Sequence, residues 1–285
     1  MGVGCMMKKV AWVTDSSAVL DDELRANKDV YVLPVHMMID GKSYLDGVDL
    51  TTDELVEHIE KGSTLTSSQP SIGDFKKLYD KLAVTYDSIF SFHISDKLSG
   101  TYSTSVQAAE LVDIPVFNVD THYLAYPLTL LIKKAIKIWE TSNEPTEVVE
   151  AIHALKSKLR VYVWIGSLQQ LHNSGRLNTS SYYLGSLLNI KPIVTFQEGS
   201  LQIKTKVRTW KKATEKIQSY LKQSLGSYQI EEVFMLYGKQ ISQTSDWVRM
   251  VERISEELSI TIHPLGTALC LHAGVETVGI GWIEK

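Results

Sequence analysis

Residues 88–101 read SIFSFHISDKLSGT: a short apolar run, a polar turn and the start of a helical pattern that continues to residue 111. The run at 88–94 is typical of a buried strand, and residues 99–111 are typical of an amphipathic helix. The same alternation recurs along the first half of the chain, with predicted strands at 10–14, 30–39 and 116–119 and predicted helices at 52–60, 71–83, 123–139 and 146–159. Alternating strands and helices favour an α/β fold around a parallel sheet.

The pattern changes after about residue 160. A strand at 161–165 is followed by apolar runs at 193–197 and 201–207, which flank Glu198-Gly199 and predict a hairpin. Two helix–strand units and a final strand at 278–283 complete the chain. We therefore predict two α/β domains. Residues 1–158 form a three-layer parallel-sheet domain, and residues 159–285 form a two-layer mixed-sheet domain.

Composition narrows the class of protein. The 285 residues suffice for two hydrophobic cores, and the net charge of −4 gives no general attraction to nucleic acid. Cys5 and Cys270 lie at opposite ends of the sequence, so neither a disulfide framework nor a thiol-rich metal site is expected. Neither a bilayer-spanning apolar run nor a secretory leader is evident, and we expect a cytoplasmic protein.

Two hydroxyl-rich segments are the strongest functional signals. Residues 66–71 read TSSQPS and residues 98–101 read LSGT, each ahead of a predicted helix. Hydroxyls and free backbone N–H groups at a helix start can receive an anion such as a carboxylate. Two plainer interpretations stay open: Ser99 could only cap its helix, and the first segment could be a solvated turn.

Motifs of catalysis are missing from the sequence, and neither hydroxyl segment is accompanied by a nucleophile–base pair. The sequence contains no Gly-x-Ser-x-Gly elbow, no Walker loop, no Gly-x-Gly-x-x-Gly, and no His-Glu or Cys pair with metal-ligand spacing. We therefore predict a non-catalytic carrier without metal or cofactor. An enzyme acting on a small phosphorylated or carboxylated metabolite, with His272 or Asp15 as general base, is the alternative. A regulatory interaction module is a third possibility.

Short motifs in a fixed order resemble the DegV family of bacterial fatty-acid-binding proteins over residues 9–283. They are Thr14-Asp15-Ser16, Leu33-Pro34-Val35, Ser67-Ser68-Gln69-Pro70-Ser71, Leu98-Ser99-Gly100-Thr101-Tyr102, Ser174-Gly175-Arg176, Lys191-Pro192-Ile193, Val207-Arg208-Thr209, and His272 followed by Gly274. Each motif alone is weak, and their shared order makes the resemblance specific.

The resemblance implies that one long-chain fatty acid binds in a tunnel between the two domains. It also implies that the protein presents the carboxylate to a separate ATP-dependent kinase, which makes an acyl phosphate for phospholipid synthesis. The family's carboxylate-binding residues fall on Ser67, Ser99 and His272. Its arginine for kinase engagement falls on Arg176, and Arg208 belongs to a second matched motif.

Further expectations follow for the surroundings of the head group. Supporting loops are expected at Ser68, Gly100, Thr101, Asp15 and Ser16. The bound fatty acid is the expected ligand, the kinase is the expected protein partner, and transient membrane contact is compatible with both. A basic stretch between residues 204 and 216 is interpreted as a solvated face.

Overall fold

The computed structural model describes residues 8–177 and 190–285. The first half contains β1 (Val10–Asp15), α1 (Asp22–Ala26), β2 (Val30–Leu33), β3 (His36–Ile39), β4 (Lys42–Leu45), α2 (Thr52–Glu60), β5 (Leu65–Ser68), α3 (Ile72–Ala83), β6 (Ser88–His93), α4 (Thr101–Ala109), β7 (Val116–Asp120), α5 (Ala125–Ser142) and α6 (Pro145–Lys158). Four of these strands form a parallel sheet in the order β2-β1-β6-β7.

Helices cover both faces of the parallel sheet because its strands are apolar on both faces. Ala11 and Val13 of β1 pack with residues of α3 and α4. Trp12, on the opposite face, packs in a cluster with residues of α5 and α6 and stacks on Phe90 with ring centroids 4.9 Å apart. This arrangement confirms the predicted three-layer domain.

The prediction of one strand over residues 30–39 is wrong. β2 ends at Leu33 and β3 begins at His36, with Pro34 between them. Proline has no N–H to donate to a strand partner, so the pairing is interrupted there. β3 instead joins a three-stranded antiparallel sheet in the order β4-β3-β5, which the sequence did not predict.

The second half contains β8 (Leu159–Trp164), α7 (Leu168–Asn173), β9 (Ile193–Gln197), β10 (Ser200–Thr205), α8 (Trp210–Leu225), β11 (Glu232–Tyr237), a 3₁₀ turn (Ile241–Thr244), α9 (Ser245–Ile254), β12 (Ser259–Pro264), α10 (Thr267–Ala273) and β13 (Val278–Ile283). The six strands form one sheet in the order β10-β9-β8-β13-β11-β12. Only β11 and β12 pair in parallel, so the sheet is mixed, as predicted. The predicted hairpin is present, and Glu198 and Gly199 both have positive φ.

The six-stranded sheet has two different faces. Ile280 and Trp282 of β13 point to a core shared with α8 and α9. On the other face, Val161 and Val163 belong to the same cluster as residues of α5 in the first half. The two halves therefore meet over this second face. The chain crosses from one to the other between Lys158 and Leu159. No helix within residues 8–177 and 190–285 is long and apolar enough to cross a membrane.

Candidate functional site

A cavity of about 890 Å³, including the space at its open mouth, lies where the two halves meet. The part of its wall that comes from the first half of the chain includes Ser17, just after β1, and Ile94, just after β6. β1 and β6 are neighbours whose onward connections run in opposite directions. Such a switch point, at the carboxyl ends of parallel strands, is where α/β proteins bind ligands.

The inside of the cavity is mainly aliphatic, because strand and helix residues from both halves point into it. The floor is the second face of the six-stranded sheet, and α7, α10 and the start of α5 cover it. The apolar lining residues include Ile94, Leu98, Leu124, Val161, Val163, Ile165, Leu171, Val194, Phe196, Leu201, Leu236, Leu265 and Leu269. From β10 to β11 the floor crosses four strand spacings, about 19 Å. No motif in the sequence marks these residues, since each looks like an ordinary core residue.

Polar groups gather at one end of the cavity. Ser67, Ser99 and Arg176 line both the apolar cavity and an adjoining polar pocket of about 690 Å³, which includes the open space in front of it. Ser67 is in β5 rather than in a turn, whereas Gln69 and Pro70 form the connection to α3 that the plainer interpretation expected. Three residues far apart in sequence therefore lie at the boundary between an apolar interior and a polar exit.

Ser67 contacts His272, which lies in the last turn of α10. The Oγ of Ser67 and the Nε2 of His272 are 2.7 Å apart. Burial, with a smaller contribution from the positive charge of Arg176, lowers the pKa of His272 to about 4. The ring is therefore neutral at pH 7. Its Nδ1 is buried and has no hydrogen-bond partner among the residues that the structure describes.

This contact corrects one statement from the sequence. A serine hydroxyl and a histidine ring nitrogen do lie within hydrogen-bond distance, although the sequence showed no nucleophile–base pair. A general base works best with a pKa near the operating pH and with a third group to orient it. His272 has a low pKa, and its Nδ1 contacts no such group within the described residues. The pair is poorly suited to activating a nucleophile.

Ser99 precedes α4 but is not its N-cap residue. The N-cap residue is Gly100, and α4 begins at Thr101, two residues later than predicted. The Ser99 Oγ lies 2.8 Å from the Thr101 Oγ1 and accepts a bond of 3.3 Å from the Thr101 backbone N–H. A Cβ at Gly100 would lie 2.7 Å from the Nε2 at the flexible end of the Gln69 side chain, which shows how closely the segment after β5 approaches the start of α4. This approach brings the two predicted hydroxyl segments together.

Arg176 follows Gly175, which has a φ of +73°, in the turn after α7. Its guanidinium is half-buried and donates to the backbone carbonyls of Leu98 (3.3 Å) and Ser174 (2.5 Å). Within residues 8–177 and 190–285, no carboxylate forms an ion pair with it. Its positive charge is therefore available to an anion at the polar end of the cavity.

Asp15 and Ser16 lie behind the cavity wall, and neither lines the cavity. The Asp15 carboxylate accepts bonds from the backbone N–H and hydroxyl of Ser17 and from the Ile94 backbone N–H (3.2 Å). It also lies 2.9 Å from the Nδ1 of His93. Asp15 therefore positions two segments that do line the cavity. The neighbouring Ser17, rather than Asp15 or Ser16, faces the ligand space.

Asp46 is a further buried carboxylate near the site, and it is not among the residues predicted from the sequence. It accepts a bond of 2.8 Å from the Ser16 hydroxyl and receives hydrogen bonds from the Ala268 backbone and the Thr267 side chain at the start of α10. Burial raises the pKa of Asp46 to about 6, and the nearby charge of Asp15 adds to this effect. Asp46 thus joins the loop after β1 to the helix that carries His272. No sequence motif marks it.

The remaining predicted residues lie at the edge of the site or away from it. Ser68 and Gly100 line the polar pocket, whereas Thr101 is buried under it. Arg208 is exposed in the turn before α8 and lines neither the cavity nor the polar pocket. Among the described residues, no group of three or more His, Cys, Asp or Glu side chains could hold a metal ion.

Comparisons with known proteins agree with this architecture. A DegV domain-containing protein of Listeria innocua is 31% identical over 284 residues, covering 98% of this chain and all of that protein. The structure of a DegV family protein from Thermus thermophilus, described as binding fatty acid, has a TM-score of 0.87 at 27% identity, covering 97% of this chain and all of that one. The structure of DegV from Bacillus subtilis, described as a fatty acid binding protein, has a TM-score of 0.88 at 26% identity, covering 98% of this chain and all of that one. The model of the DegV family matches residues 9–285, and the chain belongs to this family.

Proposed function

We propose that this protein binds a long-chain fatty acid, with the acyl chain in the apolar cavity and the carboxylate at its polar end. The observation that carries the proposal is the position of Arg176 beside Ser67 and Ser99 at the end of an aliphatic cavity. An apolar body with one anionic end is the chemistry that such a site fits. The fatty-acid-binding descriptions of the Thermus and Bacillus structures support the same assignment.

The neutral His272 makes Ser67 a better donor to that carboxylate. If the His272 Nε2 carries the proton and donates to the Ser67 Oγ, the hydroxyl hydrogen of Ser67 is free to point at the ligand. The opposite tautomer would use that hydrogen on the ring. An anion at the cavity end favours the first arrangement because it needs donors. In this proposal His272 orients Ser67 and has no catalytic role.

Most of the binding free energy should come from burial of the acyl chain. A hydrogen bond to a charged acceptor contributes about 1.5–3 kcal/mol. Each buried methylene contributes about 0.8 kcal/mol, so a long chain outweighs the head group even after the cost of ordering it. The polar end therefore determines the orientation of the ligand, and the apolar cavity determines most of the binding affinity.

Native mass spectrometry of protein purified from a bacterial host tests the proposal. We expect an adduct with the mass of a long-chain fatty acid, because the cavity is lined mainly by aliphatic side chains. Delipidation should remove the adduct, and added fatty acid should restore it. A protein that is consistently empty, refuses added fatty acid and turns over a phosphoester would instead support the enzyme alternative.

We also propose that the bound carboxylate is presented to a separate ATP-dependent kinase. The polar pocket outside Ser67 and Ser99 supports this step, since it leaves a route of approach to the head group. Arg208 is exposed at the start of α8 and would contact the kinase, whereas Arg176 would face the developing phosphate charge. The resulting acyl phosphate would enter phospholipid synthesis.

A kinase assay with loaded protein tests presentation. Arg208→Glu should slow acyl-phosphate formation while fatty-acid affinity stays unchanged, because the residue lies outside the cavity. Lys222→Glu, at the other end of α8, is the matched control and should have no effect. Equal rates from free fatty acid without this protein would contradict presentation.

A further inference from the structure

The floor of the cavity has a gap in its middle strand. β13 alternates Val278, Ile280 and Trp282, which point to α8 and α9, with Gly279 and Gly281, which point the other way. The face of β13 that is turned toward the first half therefore has no side chains from Gly279 to Gly281, and its next side chain on that face is Ile283. Side chains of the neighbouring strand β11 fill part of this gap.

Leu236 of β11 occupies the gap at Gly279. The two residues are directly opposite each other in the antiparallel pairing, and Gly279 in turn pairs with Val163. A Cβ at Gly279 would lie 3.0 Å from the Leu236 Cδ1. Leu236 therefore lies flat across the glycine, and its side chain forms part of the cavity wall.

The next gap along β13 is closed by an aromatic block. A Cβ at Gly281 would lie 2.3 Å from the Cζ of Phe234, so that ring covers the second glycine. Phe234 packs edge-on against Tyr126 at 5.5 Å, and Tyr126 stacks on His263 at 3.4 Å. A ligand cannot extend past this block without displacing three rings.

The Leu236 end of the cavity is closed and lies away from the polar end. Leu236 is 1% exposed and Leu265 is 3% exposed, and neither lines the polar pocket. Leu265 precedes α10, whereas His272 lies in its last turn, so α10 separates Leu265 from the residue that contacts Ser67. At the opposite side of the floor, Phe196 is partly exposed on the edge hairpin.

We infer that Leu236, lying across Gly279, is the stop against which the methyl end of the acyl chain rests, and that it sets the longest chain accepted. This inference rests on the proposed function. An acyl chain that is too long to end at Leu236 must bend or leave its additional methylenes unburied. Each methylene that can no longer be buried forfeits about a four-fold gain in affinity.

The test measures dissociation constants of the delipidated protein for saturated acids from dodecanoic to icosanoic acid. Leu236→Ala opens the space over Gly279 and should move the optimum upward by about two carbons. Gly279→Ala should push Leu236 into the cavity and move the optimum downward. Leu201→Ala, the same type of truncation at the hairpin side, should weaken all chains alike without moving the optimum.

The outcomes separate this inference from the function on which it rests. If the optimum moves in Leu201→Ala and stays in place in Leu236→Ala, the chain ends at the hairpin and the inference is wrong. If the wild-type protein binds none of the acids, the proposed function itself fails. If Leu236→Ala does not fold, Gly279→Ala still provides a test. An optimal chain length equal to that of the wild type in this variant overturns the inference.

Discussion

Replacing both Ser67 and Ser99 by alanine is expected to weaken fatty-acid binding by less than the sum of the two single effects. Each hydroxyl should contribute about 1.5–3 kcal/mol, or roughly 10- to 150-fold in affinity, if it donates to the carboxylate. When both donate to the same carboxylate, losing one loosens the head group and reduces what the other contributes. A double-mutant cycle by titration calorimetry should give a coupling of at least about 0.5 kcal/mol.

Two controls make this cycle specific to the carboxylate. Thr66→Ala removes a hydroxyl from the same strand, one residue before Ser67 and therefore on the opposite face of β5, and should leave affinity unchanged. A fatty alcohol of equal chain length should lose little affinity in either single variant, since it carries no charge. Additive single effects would mean that the two hydroxyls bind different groups, and the proposed head-group site would have to be revised.

Gly274→Ala should be strongly destabilising. Gly274 ends α10 with φ +86° and ψ 147°, a region open almost only to glycine, and forcing alanine into it costs about 1–3 kcal/mol. The added Cβ would also lie 2.8 Å from both the Cβ and the backbone N of Ser167. We expect chemical denaturation to show a loss of at least about 2 kcal/mol of unfolding free energy. Fatty-acid affinity should fall too, because His272 lies two residues earlier.

Gly73→Ala is the matched control for this substitution. Gly73 lies in the first turn of α3, and a Cβ there would meet only the Ser71 Oγ, at 3.6 Å. Alanine favours helix over glycine by up to about 1 kcal/mol, so this variant should be at least as stable as the wild type. Equal stability of Gly274→Ala and the wild type would show that the turn after α10 is not held as the structure places it.

Local sequence patterns predicted most of the secondary structure, because hydrophobic periodicity and capping residues depend only on residues within or next to one helix or strand. The capping box of α3 illustrates this: the Ser71 hydroxyl accepts from the Asp74 backbone N–H, and the Asp74 carboxylate accepts from the Ser71 backbone N–H. The helix 52–60 was predicted with its correct bounds, and Gly62 lies just past its end with φ +75°. Boundaries failed where neighbouring segments decided them, as over residues 30–39, where β3 pairs with β4 and β5 instead of continuing β2.

The sequence alone determined the α/β class, the mixed second sheet and the family, because alternating patterns and ordered motifs are properties of the chain read in one direction. Only the tertiary structure decided which residues share the site. Ser67, Ser99, Arg176 and His272 lie up to 205 positions apart and meet because three sheets pack around one cavity. The contributions of Asp46 and Leu236 depend on contacts across that packing, and an isolated buried carboxylate or leucine carries no local signal of what it will touch.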